Sequence, residues 1–105
     1  MTLPFQNPYT APAPLYPRGL VTTHADLSAA VTIQPTRHLQ INGVFLQVTA
    51  PTYFVFSEDG TDADASDFVL DVTPYPVYFP IAPNTYLSFL EKSAGATLQV
   101  QFLRS

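Results

Sequence analysis

No cysteine occurs in the 105 residues, so no disulfide braces the chain and no thiolate is on hand as a nucleophile. Charge is nearly as scarce. Four basic residues, Arg18, Arg37, Lys92 and Arg104, stand against eight acidic ones, and charged side chains make up 11% of the chain, where about 25% is usual for a soluble domain. A net charge of -4 with four scattered cations does not make a phosphate-binding face, which needs several Lys or Arg together, so nucleic acid is not an expected partner. The longest apolar runs fall far short of the ~20 residues that cross a bilayer. The first residues also lack the basic and continuous apolar regions of a signal peptide, and a chain without membrane contact is expected.

Catalytic signatures are missing as well. His24 and His38 lie fourteen apart outside any HExxH or other metal-ligand spacing, and there is no GxSxG turn and no glycine-rich phosphate loop. Glu58 and Asp59 are adjacent, and neighbours on a strand point to opposite sides, so they do not form the facing carboxylate pair of a glycosidase. The expectation is a protein that is not an enzyme, with no catalytic residues, no metal ligands and no cofactor.

What is present is short-range alternation. After residue 28 the period is two, with β-branched and aromatic residues in short runs separated by Pro, Gly, Asn and Asp. The runs 29–33, 37–42, 44–49, 52–57, 67–72, 76–79, 85–91 and 96–104 are predicted strands. Leu39 and Ile41, then Val44, Leu46 and Val48, then Phe68, Leu70 and Val72, and last Leu98, Val100 and Phe102 are expected to face inward. Gln40, Gln47, Gln99 and Gln101 in the other register are expected to face water or a neighbour. The stretch TYFVFS is apolar on both faces, so Tyr53, Phe54 and Phe56 mark a strand that is central or covered by a partner. Pro51 before it and Glu58-Asp59 after it read as gatekeepers against edge pairing. Residues 26–30 and the segment NTYLSFLEK offer the only helical alternatives. The fold class expected is all-β, an antiparallel sandwich or jelly-roll-like single domain over residues 19–105 with at most one short helix.

Residues 57–67, SEDGTDADASD, hold five of the eight acids. Asp62-x-Asp64 begins like an EF-hand loop but lacks Gly at the sixth position, where Asp67 stands, and Glu at the twelfth, where Thr73 stands. A solvated loop is expected there, with a calcium site of another type as the alternative.

Residues 1–18 read as an extended arm. Residues 2–17 carry five of the eleven prolines and no charge, yet include Phe5, Tyr9, Leu15 and Tyr16. In polyproline II the arm advances about 3.1 Å per residue and loses little entropy on binding, so it reaches ~50 Å and presents those four side chains as anchors for an apolar groove. Pro14-Leu15-Tyr16-Pro17 is also a minimal PxxP. The alternative is an arm that folds back over its own core. A small core without disulfides commonly needs a metal, a partner or copies of itself.

In the second half, YFVFSEDG, the A-S-x-F-x-L of residues 65–70, NTYLSFL and SAGATLQVQF follow one another. This order of strands and turns over residues 37–105 resembles small β-sandwich virion proteins of tailed bacteriophages, although Asp71-Val72-Thr73-Pro74 stands where such proteins carry glycine. The resemblance implies a structural protein of the particle: a capsid cement or decoration protein, a trimer or other homo-oligomer seated on the major capsid protein, assembled into the virion in the host cytoplasm. A head-fibre, tail or baseplate component is the alternative within that class. Outside it stands a carbohydrate- or receptor-binding module that uses Tyr75, Tyr78 and Tyr86 as stacking platforms.

Overall fold

In a computed structural model, residues 16–34 and 41–104 are described, with side chains over 21–34 and 41–103. They form eight strands: β1 (Tyr16–His24), β2 (Val31–Ile33), β3 (Ile41–Val48), β4 (Thr52–Ser57), β5 (Phe68–Leu70), β6 (Val77–Pro80), β7 (Tyr86–Glu91) and β8 (Leu98–Arg104). No helix occurs among the described residues. NTYLSFLEK is therefore strand, because Leu87 and Phe89 alternate with Ser88 and Leu90 against β4 at period two. Residues 26–30 form a bend instead of a helical turn.

The pairing is regular. β1 runs antiparallel to β8, β2 to β7, β3 to β6 and β4 to β5. Contacts of β3 with β8 and of β4 with β7 then join these pairs into two sheets, β1-β8-β3-β6 and β2-β7-β4-β5. One long hairpin rolled across two layers gives this order, which is that of a jelly roll. The expected all-β sandwich is present, and its jelly-roll form is the one found.

Alternation decides what lies between the layers. Val44, Leu46 and Val48 of β3 and Leu98 and Val100 of β8 face Leu87 and Phe89 of β7, all of them buried. Phe54 and Phe56 of β4 point the same way and meet Phe79 of β6, with ring centroids 5.5–5.7 Å apart in tilted and edge-on pairs, a geometry aromatic quadrupoles favour. These three rings fasten the sheets along the side where β6 and β5 lie. At the other side Leu27 plugs the core from the β1–β2 connection, fully buried, and its carbonyl accepts the Glu91 N–H at 2.9 Å.

Several expectations change. β1 has no counterpart among the predicted strands, and Tyr16, Pro17 and Arg18, counted with the arm in sequence, pair with Arg104, Leu103 and Phe102. The runs 44–49 and the end of 37–42 are one strand, β3, continuous through Gly43, while Leu39, Gln40 and His38 lie outside the described residues. Phe68 and Val72 do not face inward: they are 84% and 51% exposed, although Leu70 between them is buried. The reason is β5 itself, a three-residue strand at the edge of its sheet: Phe68 is its first residue and Val72 lies beyond its end.

Candidate interaction surface

The acidic loop comes first, because sequence singles it out. It is pinned to the protein at one point: Ala63 is buried, and its N–H donates to the Ser88 hydroxyl on the outer side of β7 at 2.8 Å. Ser88 also lies 3.2 Å from the Thr32 hydroxyl, which is 2.9 Å from an Asp62 carboxylate oxygen. A carboxylate only accepts, so Thr32 gives its one proton to Asp62 and Ser88 gives its own to Thr32. The loop thus covers β7 through a chain of hydroxyls, which the expectation of a merely solvated loop did not include.

Its acids serve the turns. Asp59 accepts the N–H and hydroxyl of Thr61 at 3.1 and 2.6 Å, and Asp64 accepts the N–H of Ser66 at 2.8 Å together with its hydroxyl. Asp26 does the same for Ser28 in the β1–β2 connection, at 3.0 and 2.6 Å. Each is the Asx turn that an Asp-x-Ser/Thr sequence supports. Among the described residues no three His, Asp or Glu side chains come together as a metal cage.

Hydrogen bonds to the hydroxyls, and next to the backbone amides, hold the carboxyls of Asp26, Asp59 and Asp64 below the usual value. A carboxyl lowered in the folded state stabilises the fold above its unfolded pKa of about 3.9 and loses that contribution as pH falls through the folded values. Thermal midpoints are therefore expected to hold level from neutral pH down to about pH 5 and to drop below about pH 4. The drop should shrink in the triple variant Asp26→Ala, Asp59→Ala, Asp64→Ala. An unchanged acid limb in that variant would assign acid sensitivity to other groups.

The larger exposed apolar surface lies elsewhere. Phe68, Val69, Val72, Tyr75 and Tyr78 are all exposed and follow one another from β5 to β6 along one side of the sandwich. From there the outer face of the β1-β8-β3-β6 sheet continues the patch. Phe45 and Tyr78 pack edge to face across β3 and β6 at 5.8 Å. The Tyr78 ring covers Gly43, where a Cβ would come within 2.7 Å of it, so glycine is what lets the ring lie flat on the sheet. Beside them Gln47, Gln99 and Gln101 form a floor, with Val21 on one wall and Pro76 on the other, around a cleft of about 50 Å³. Val21 reaches this wall because β1 bulges between Arg18 and Thr22, a distortion that Gly19 admits. Gln47 also donates to the Thr73 carbonyl at 3.1 Å and so holds the β5–β6 connection against the sheet.

Of the residues singled out in sequence, Phe5, Tyr9 and Leu15 lie outside the described residues, and Tyr16 begins β1. Tyr53, Phe54 and Phe56 lie on β4, which is central, flanked by β7 and β5. Phe54 and Phe56 face inward, and Tyr53 faces outward beside Val69 and Leu90. Tyr75, Tyr78 and Tyr86 do not form one platform: Tyr86 pairs with Ser57 at the acidic-loop end and lies against Gly60, whereas Tyr75 precedes β6 at the opposite end. Val21, Phe45 and the glutamine floor went unnoticed as a group. The alternating glutamines were the available signal.

Searches against family models, curated proteins and solved structures find no match for the chain.

Proposed function

We propose that the chain is a structural subunit of a virus particle, a cement or decoration protein of a tailed-phage capsid that strengthens the shell by adding interfaces. The observation that carries this reading is the exposed apolar row from Phe68 to Tyr78 on a small, charge-poor jelly roll. Exposed apolar surface of this extent marks contact with other proteins more often than a free surface. Jelly rolls are used by viral capsids and by lectins alike, and fold alone does not assign function, so the weight rests on the surface and the arm. Symmetric association buries such a side against a neighbouring copy or the major capsid protein, and many modest contacts per oligomer act together through effective concentration.

Removal of residues 1–15 tests the reading without cutting into β1. The truncated protein is expected to keep its β-type circular dichroism and its cooperative unfolding while binding particles at least tenfold more weakly. Undiminished binding to particles, or a chain that is absent from purified particles, would defeat the proposal. A monomer that binds glycans would favour the receptor-binding alternative.

A further inference from the structure

We infer that the outer face of the β1-β8-β3-β6 sheet is the seat of the N-terminal arm, residues 4–14, of a second copy of this chain. The inference rests on reading the chain as a self-assembling subunit, and it names the surface through which copies join.

The match is chemical. With three residues per polyproline turn, Phe5, Pro8, Ala11 and Pro14 form one ridge of the arm and Tyr9, Pro12 and Leu15 a second, leaving Asn7 and Thr10 on the third face. Grooves that take such ridges are lined with aromatic rings and offer donors to the carbonyls that a polyproline backbone leaves unbonded. The face described here has both. Phe45, Tyr78, Pro76 and Val21 supply the apolar walls, and the amides of Gln99 and Gln101 make no hydrogen bond among the described residues. Neither side brings a charge to be desolvated: residues 2–17 carry none, and none lines the cleft. The cleft has room for a single small side chain, such as a proline ring, which suits an extended ligand lying across the sheet.

The arm's length and point of departure make the occupant a second copy. β1 begins at Tyr16, opposite Arg104, whereas Val21 and Gln99 lie further along the same strands in the direction away from the arm. Pro12, Pro14 and Pro17 follow Ala11, Ala13 and Tyr16, and a residue before proline disfavours the helical region, so the sequence disfavours a reversal next to β1. The first turn-forming pair is Asn7-Pro8. From Tyr16 to Asn7 the arm covers about 28 Å at 3.1 Å per residue, and the six residues left reach back only about 19 Å. A chain that turns there does not bring Phe5 back to its own groove.

The absence of cysteine makes the test clean, because every introduced thiol is unique. Full-length Ala11→Cys and Gln101→Cys chains are mixed and oxidised, with Ala11→Cys plus Ala65→Cys, in the exposed acidic loop that lies over β7 of the other sheet, as the control. A disulfide heterodimer is expected with Gln101→Cys at several times the control yield. Equal yields, or no heterodimer with Gln101→Cys, overturn the inference, as does a double variant Ala11→Cys/Gln101→Cys that closes only within one chain. As a second measurement, Gln99→Glu/Gln101→Glu is expected to weaken self-association at least tenfold by sedimentation equilibrium while the circular dichroism is unchanged. Unaltered association overturns the inference. Both experiments use purified protein, so a chain absent from particles would defeat the virion reading and leave the cross-link standing. A chain present in particles without the cross-link would do the reverse.

Discussion

Phe89→Ala is expected to leave little folded protein at physiological temperature. Phe89 is fully enclosed at the middle of β7, between Val31 of β2 and Phe54 of β4, and truncating such a ring costs about 3–5 kcal/mol in lost transfer energy and residual cavity. A domain of this size commands a total near the lower end of the usual ~5–15 kcal/mol. The cavity therefore consumes most of it. Urea unfolding followed by circular dichroism should show a strongly lowered midpoint or no cooperative transition. Phe68→Ala is the matched control: the same chemical change at an 84% exposed site is expected to stay within about 0.5 kcal/mol of the parent. A loss below about 1 kcal/mol at Phe89 would be incompatible with two sheets packed around that ring.

Ser88→Ala is expected to produce the second-largest effect, and through polarity where Phe89 acts through volume. The hydroxyl is buried, accepts the Ala63 N–H and links to Thr32 and Asp62. Its removal leaves a buried amide without an acceptor, at a cost of about 1–3 kcal/mol. The loss falls on the acidic loop first. Hydrogen exchange at the Ala63 amide should accelerate by more than tenfold, while amides in the β3–β8 ladder keep their protection. Uniform acceleration across both sheets would mean that Ser88 supports the whole fold and does not simply tether the loop.

Much of the fold was legible wherever one face of a strand meets the core and the other meets solvent. TLQVQF alternates because Leu98 and Val100 are buried while Gln99 and Gln101 lie on the outer face, and β3 alternates for the same reason. Period two gives a side to each residue but not the extent of the layer opposite, which is why alternation alone places Phe68 and Val72 in the interior. β1 escaped notice because its proline, glycine and threonines carry no apolar stripe, and a bulge breaks what alternation remains. Leu27 has no local signal because one large apolar residue among the small ones of ADLSAA makes no period. The Ser88 tether is a contact between segments 25 residues apart, and nothing local announces it. The face assigned to the arm was half legible: the glutamines stand out in sequence, but only the pairing of β3, β6 and β8 brings them beside Phe45 and Pro76.

The rolled pairing of first strand with last also sets a schedule. Among the described residues β1 pairs with β8 alone, and β8 leaves the ribosome well after β1, so at about 5–20 residues per second β1 waits several seconds or more for its partner. Pairings this distant in sequence are also slow to form by themselves, on a millisecond-to-second scale. The arm is synthesised before β1, yet the body that carries it is not closed until β8 arrives. Gln99 and Gln101 of the proposed acceptor face belong to β8 itself, so donor and acceptor become competent in one step, and chains without β8 lack the glutamines of the acceptor face.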